Sequence, residues 1–278
     1  MGTNQSDTFD IGEYTVHRLG FGAMRLCGEG IIGAPDDEEA ARDVAREAVD
    51  LGVDFIDTAD SYGPGTSERL LREAGVVDNA LVATKGGLLR SHDGDWLPHG
   101  DPDYLENAAL ASIDRLGVDS IDLYQLHRPD PDTDFEASVT KLAELKDAGL
   151  VDNVGLSNVS VEQLETARDH VEVATVQNNY NLVNREHQDV LDACEGAGIG
   201  FIPYFPLGAG DLDEKAEAVD AVADAHDASR YQVALAWLLS SSDVTLPIPG
   251  TSSVEHLREN VAASGIELTD DDLARLSE

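Results

Sequence analysis

Two hydrophobic periods alternate along the chain. Short apolar runs, "LGFGAM", "VDFIDT", "ALVATK", "IDLYQLH", "VDNVGLSN", "VATVQNN", "GFIPYFP" and "VTLPIPG", each end in polar residues. Between them lie longer segments with apolar residues three and four apart, such as "DEEAARDVAREAVDLG", "PDYLENAALASIDRLG" and "DFEASVTKLAELKDAGL". The runs read as strands, and the segments as amphipathic helices with acidic starts and glycine ends. Strands alternating with helices predict a parallel sheet. A doubly wound sheet would carry a glycine-rich phosphate loop after its first strand, and "GFGAMRLCG" is not G-x-G-x-x-G. An α/β fold of the closed (β/α)₈ TIM-barrel type is therefore expected. A β-hairpin should precede it: "TFDI", a turn at Gly12-Glu13, then "YTVHRL". Two helical patterns between Gly210 and Ser241 predict an extra helix before the last strand. No linker-like or low-complexity stretch divides the chain, so residues 1–278 are expected to form one domain.

Composition narrows the function classes. The chain has 55 Asp plus Glu against 18 Lys plus Arg, a formal net charge of −37. Nucleic acid and anionic membrane are improbable partners for such a surface. The apolar runs are too short to span a bilayer, and the first ten residues lack the basic start and apolar core of a signal peptide. Two cysteines, Cys27 and Cys194, make no disulfide scaffold and fit a reducing cytoplasm. The acidic excess is spread over every helical segment, and the only lysines are Lys85, Lys141, Lys146 and Lys215. That pattern resembles proteins of salt-in halophiles, in which concentrated salt screens self-repulsion.

In barrels of this type the chemistry sits at strand C-termini. Here the second strand ends in Asp57, the third in Lys85 and the fourth in His127. The fifth ends in Ser157 and Asn158, the sixth contains Gln177 and the seventh carries Tyr204. A terminal Asp is often a helix cap, and a lone His is often structural. A buried Lys is costly without a partner. Asp, Lys and His on three successive strands converge on one barrel mouth, which capping alone does not explain. No metal constellation is evident; "DGD" at 93–95 lacks the further ligands of a calcium loop.

"LGFGAM", "FIDTADSYG", "ATKGG", "LYQLH", "VGLSN", "VQNNYN", "FIPYFPLG" and "PIPGTSSVEHLREN" occur in the order and spacing of one family. The chain resembles the aldo-keto reductase superfamily from end to end, and a bacterial branch of pyridoxal reductase type in particular. The resemblance implies a catalytic tetrad of Asp57, Tyr62, Lys85 and His127. It implies hydride transfer from a reduced nicotinamide to a carbonyl carbon. Tyr62 would be the proton donor, its acidity raised by Lys85, with Asp57 pairing Lys85 and His127 orienting the carbonyl oxygen. Ser157, Asn158 and Gln177 would bind the carboxamide and Tyr204 would stack on the ring. Pro206, Leu207, Gly250, Thr251, Ser252, Ser253, Glu259 and Asn260 would line the rest of the cofactor site, with phosphate at the helix start after the last strand.

Two departures bear on cofactor choice. Many relatives carry Lys at the position of Gly250 and Arg at that of His256, and Phe205 replaces a common serine. NADP(H) is the favoured cofactor on this reading and NAD(H) the alternative. The long C-terminal loop of some relatives is missing, so an open pocket is expected, with Met24 and Trp96 as walls. The expected substrate is a small carbonyl compound, an aldehyde such as pyridoxal rather than a bulky steroid. The mouth loops hold few cations besides Arg25, Arg90 and Arg128, so an anionic substrate should be poorly steered. A monomer or weak homo-oligomer is expected. The rival reading is a nicotinamide-binding regulatory subunit of a potassium channel, which would keep the same tetrad.

Overall fold

The computed structural model describes residues 3–207 and 215–277. Chain order is β1 (Thr8–Ile11), β2 (Tyr14–His17), β3 (Phe21–Gly22), α1 (Glu38–Asp50), β4 (Phe55–Asp57), α2 (Thr66–Ala74) and β5 (Leu81–Gly86). There follow β6 (Leu88–Arg90), β7 (Trp96–Pro98), α3 (Pro102–Leu116), β8 (Ile121–Leu126), α4 (Phe135–Asp147), β9 (Val151–Ser157) and α5 (Val161–Arg168). The rest comprises β10 (Val173–Asn179), α6 (Gln188–Ala197), β11 (Gly200–Tyr204), α7 (Ala216–His226), α8 (Arg230–Ser241), α9 (Val254–Ala262) and α10 (Asp270–Ser277).

Seven strands pair in parallel in the order β11-β10-β9-β8-β5-β4-β3. Residues 244–249 close the ring into a (β/α)₈ barrel. On one side Leu246 N donates to Phe201 O at 2.7 Å; on the other, Gly20 N and Gly22 N donate to the carbonyls of Pro247 and Pro249 at 3.0 and 3.2 Å. Pro247 and Pro249 have no N–H to return, so this ladder runs one way and the eighth run is not a regular strand. The first is also short: only Phe21–Gly22 pairs before the chain turns into a 3₁₀ segment at Ala23–Leu26.

The helices start and stop as their ends predict. Asp37 and Asp101 cap α1 and α3, and α5 and α8 open with Ser-Gln capping boxes, Ser160–Gln163 and Ser229–Gln232. Gly117 ends α3 at φ +74°, where other residues would be strained. The expected extra helix is present, since both α7 and α8 precede the closing segment; Gly210 lies outside the described residues. The β1–β2 hairpin turns at Gly12, and its Ile11 and Val16 pack with Phe55, Ala83, Leu123, Ile202 and Leu246 in the barrel interior. A second hairpin, β6–β7, was not evident in the sequence. Its turn holds "DGD", with Gly94 at φ +92°.

Candidate active site

Period-two alternation builds the site. Phe55, Ala83, Leu123 and Ile202 lie in the apolar interior. Two residues further along the same strands come Asp57, Lys85, Gln125 and Tyr204. A side chain two positions on faces the same way, so a polar layer sits directly above an apolar one. Gly155 makes room for it: a Cβ there would lie 2.8 Å from Gln125 Cγ and 2.4 Å from Thr175 Oγ1.

Lys85 is fully buried. Its Nζ donates to Asp57 Oδ1 at 2.6 Å, to Thr58 O at 2.8 Å and towards Tyr62 OH at 3.5 Å. Burial is the strongest single influence on Lys85 and disfavours its charge, but Asp57 and Tyr62 together outweigh it and hold its pKa above the ordinary value. Asp57 Oδ2 accepts from Gln177 Nε2 at 2.8 Å and Gln125 Nε2 at 3.2 Å. Tyr62 departs from the sequence expectation. Lys85 does pull its pKa down, but burial outweighs that pull and the net direction is up, so the phenol keeps its proton. The buried imidazole of His127 is pushed well below its ordinary pKa by desolvation, then by the charges of Lys85 and Arg128, and is neutral. Its Nδ1 lies 3.3 Å from Ser61 Oγ. The rings of Tyr62 and His127 meet edge-on at 5.9 Å.

A cavity of about 520 Å³ opens over this layer. It is lined by Asp57, Tyr62 and His127, and by the expected Ser157, Asn158, Gln177, Tyr204, Pro206, Leu207, Gly250, Met24 and Trp96. Lys85 lies beneath it. Asn158, in a left-handed conformation that Asn tolerates (φ +60°), donates to His127 O at 3.0 Å and Ser157 Oγ at 2.9 Å. Its Oδ1 accepts from Tyr204 OH at 2.7 Å. Trp96 reaches the cavity from the second hairpin, its ring 6.3 Å from that of Tyr62. Thr251, Ser252, Ser253, Glu259 and Asn260 do not line the cavity but belong to the start of α9 and the helix itself. Ser253 is the cap of α9, accepting from His256 N.

Several neighbours were not singled out in the sequence. Gln125 holds the second oxygen of Asp57, and Ile31, Leu88 and Ile248 complete the apolar wall. Gln125 did leave a trace, as a polar residue inside the otherwise apolar "IDLYQLH". Among the described residues no cluster of His, Cys, Asp and Glu could hold a metal, and no helix is long and apolar enough to cross a membrane.

The sequence profile of the Aldo/keto reductase family matches residues 18–278. An uncharacterised oxidoreductase of Schizosaccharomyces pombe is 47% identical over 276 residues, covering 99% of this chain and 90% of that protein. Pyridoxine 4-dehydrogenase of Escherichia coli is 42% identical over 280 residues, covering 98% and 97%. Two solved structures superpose closely. An aldo/keto reductase from Klebsiella pneumoniae in complex with NADP and acetate has a TM-score of 0.84 at 27% identity, covering 98% of this chain and 94% of that one. The glycerol dehydrogenase of Gluconobacter oxydans has a TM-score of 0.88 at 26% identity, covering 97% and 94%.

Proposed function

Since this chain belongs to the aldo/keto reductase family, we propose that it reduces small aldehydes, pyridoxal among them, to alcohols with NADPH. The observation that carries the reading is the buried Asp57–Lys85–Tyr62 relay beside a neutral His127 at the floor of one cavity.

The residues fit a nicotinamide nucleotide. Ser157 Oγ accepts from Asn158 and has no acceptor of its own among the described residues, so its proton is free for a carboxamide. Gln177 and Asn158 stand beside it, and Tyr204 offers a flat ring. At the other end Gly250 carries no side chain, and the Arg25 stem passes about 3.7 Å from where a Cβ would be. Arg25 thus brings a cation to the place where many relatives carry Lys. Thr251, Ser252 and Ser253 at the start of α9 add hydroxyls and helix N–H groups for phosphate. When bound, the reduced nicotinamide supplies hydride to the carbonyl carbon.

This chain's own groups handle the oxygen. The carbonyl oxygen sits between Tyr62 OH and His127. With Ser61 donating to Nδ1, the neutral imidazole carries its proton on Nε2 and donates it as a hydrogen bond. As negative charge builds on the oxygen, Tyr62 transfers its proton there. The phenolate left behind faces the Lys85 ammonium, whose charge Asp57 secures. Preorganised charge of this kind, in a site shielded from water, is where such catalysis gains most. The surface charge favours a cytoplasm rich in salt, and Asp57, Gln125 and Gln177 serve the relay as positioning residues.

The test is turnover of pyridoxal, a nitrobenzaldehyde, a short aliphatic aldehyde and a ketosteroid with NADPH and with NADH in molar KCl. Faster turnover of the aldehydes than of the ketosteroid supports the reading. A ketosteroid outperforming every aldehyde, or no turnover at all, overturns it. Weak pyridoxal turnover beside strong benzaldehyde turnover removes only pyridoxal.

A further inference from the structure

The described lining of the cavity is cationic, against the sign of the protein as a whole. The formal net charge is −37, yet among the described residues the only carboxylate lining the cavity is Asp57, and Lys85 neutralises it. Two exposed arginines, Arg25 and Arg128, line the same walls. Among the described residues neither makes a side-chain hydrogen bond or ion pair. Many arginines elsewhere are engaged: Arg42, Arg46, Arg69, Arg115 and Arg258 all pair with glutamates. Arg90, the third cation of the mouth loops, donates to the carbonyls of Ile31, Gly30 and Gly94 and stacks 3.6 Å over Trp96. In a chain with three acids per base, two cations without carboxylate partners among the described residues of one cavity call for anionic ligands. Arg25 lies at the Gly22–Gly250 end, which the cofactor phosphates would occupy. Arg128 follows His127 directly, and its charge is felt by both His127 and Tyr204, which places it at the end where the carbonyl reacts.

We propose that Arg128 anchors an anionic group of the substrate, so that the site selects carbonyl compounds bearing a carboxylate or phosphate on an apolar body. The proposal rests on the reductase reading above. Arg is suited to the task, because its planar fork grips carboxylate or phosphate with two parallel hydrogen bonds. The apolar walls, Met24, Ile31, Leu88 and Trp96, take the body of such a ligand. Poor steering, expected from the net charge, acts on approach and is screened within about 3 Å at 1 M salt. A direct contact inside the cavity acts on retention. The two effects therefore do not conflict.

The experiment compares matched pairs on the full chain: 4-carboxybenzaldehyde against methyl 4-formylbenzoate, and pyridoxal 5′-phosphate against pyridoxal. Each is measured at fixed ionic strength for the wild type, Arg128→Gln and Arg128→Lys. Arg128 is exposed and makes no side-chain bond among the described residues, so both variants should fold, and melting curves check this. In the wild type the charged member of at least one pair should have kcat/KM about tenfold or more above its neutral partner. Arg128→Gln should bring that ratio to about one through KM, and Arg128→Lys should keep part of it. Which pair responds separates carboxylate from phosphate. A wild-type ratio of one or less in both pairs overturns the proposal, as does a ratio that survives Arg128→Gln. Turnover of the neutral aldehydes without charge preference overturns this proposal alone, whereas no turnover of any aldehyde overturns the reductase reading and this one with it.

Discussion

Gln177 donates its amide N–H to Asp57 Oδ2 at 2.8 Å, across 120 residues of chain. Lys85 takes the other oxygen at 2.6 Å, and Gln125 shares the first. Asp57 is thus a hub that ties its own strand, β4, to three others below the cavity. A buried carboxylate with one ammonium and two amides is satisfied; the same carboxylate without the ammonium is not. Lys85→Met should therefore cost about 3 kcal/mol or more in denaturant unfolding, since breaking a buried pair strands a charge. Lys85→Met with Asp57→Asn should cost clearly less than the sum of the single changes, while all three variants lose turnover. Additive losses would show that the pair is not coupled as its geometry implies.

Tyr62 keeps its proton because burial outweighs Lys85. That suits a donor that must arrive protonated at neutral pH. Tyr62→Phe removes the proton and little volume. It should lower turnover by about a hundredfold or more and leave cofactor binding, followed by fluorescence quenching, almost unchanged. Near-normal turnover in this variant would take Tyr62 out of the role.

Behind the site, Asp60 is buried beside Glu68, with Tyr104 OH 3.4 Å from its Oδ2. Burial, then the charge of Glu68, raises its pKa to about 7 against the opposing pull of Arg115. An unfolded aspartate titrates near pH 4. Between those values the folded chain holds a proton that the unfolded chain releases, so this group's contribution is fully present below about pH 4 and is lost as pH rises through about 7. Asp60→Asn does not titrate. The melting temperature of Asp60→Asn relative to wild type should therefore be several degrees higher at pH 8 than at pH 5. An equal difference at both values would mean that Asp60 ionises normally in the fold.

The barrel was legible because its inner positions change character on a period of two. Phe55 gives way to Asp57, and Ala83 to Lys85, and each change shows in the sequence as a polar residue ending an apolar run. Other parts depend on contacts that no local pattern encodes. Gln125 lies before the end of its run, and only the fold reveals that it faces Asp57. Ile31, Leu88 and Ile248 look like ordinary core residues until the cavity places them at its wall. The one-sided ladder follows from the missing N–H groups of Pro247 and Pro249, but that their carbonyls meet Gly20 and Gly22 shows only in the fold. The acidity of Tyr62 turns on a contest between burial and Lys85 that the sequence sets up without deciding.

Salt should act on the whole molecule. Most carboxylates have no basic partner to meet, since 55 acids face 18 bases. Near 0.01 M salt their repulsion reaches about 30 Å, and at 1 M about 3 Å. Screening also weakens exposed pairs such as Arg42–Glu39, but those contribute little. The melting temperature should rise by several degrees from dilute buffer to molar KCl. A flat or falling curve would count against adaptation to salt.

The last prediction concerns two of the positions at which this chain departs from many relatives, Gly250 and His256. At Gly250 the closing segment runs against β3, where Gly22 N donates to Pro249 O at 3.2 Å. A Cβ on Gly250 would lie 2.7 Å from the carbonyl oxygen of Gly22, and one on Gly22 would lie 2.7 Å from that of Ile248. Backbone cannot yield as a flexible side chain does, so a side chain at 250 would force this chain's closing segment away from β3. Gly250→Lys should lower the melting temperature by several degrees without strengthening the preference for NADPH. His256 differs, because it is exposed in the first turn of α9. An arginine there fits without strain and adds a cation beside Ser252 and Ser253. His256→Arg should raise the ratio of kcat/KM for NADPH over NADH several-fold at low salt, and by less in molar KCl. A gain from Gly250→Lys at unchanged stability would show that closure leaves room at position 250, and no gain from His256→Arg would move the 2′-phosphate away from the start of α9.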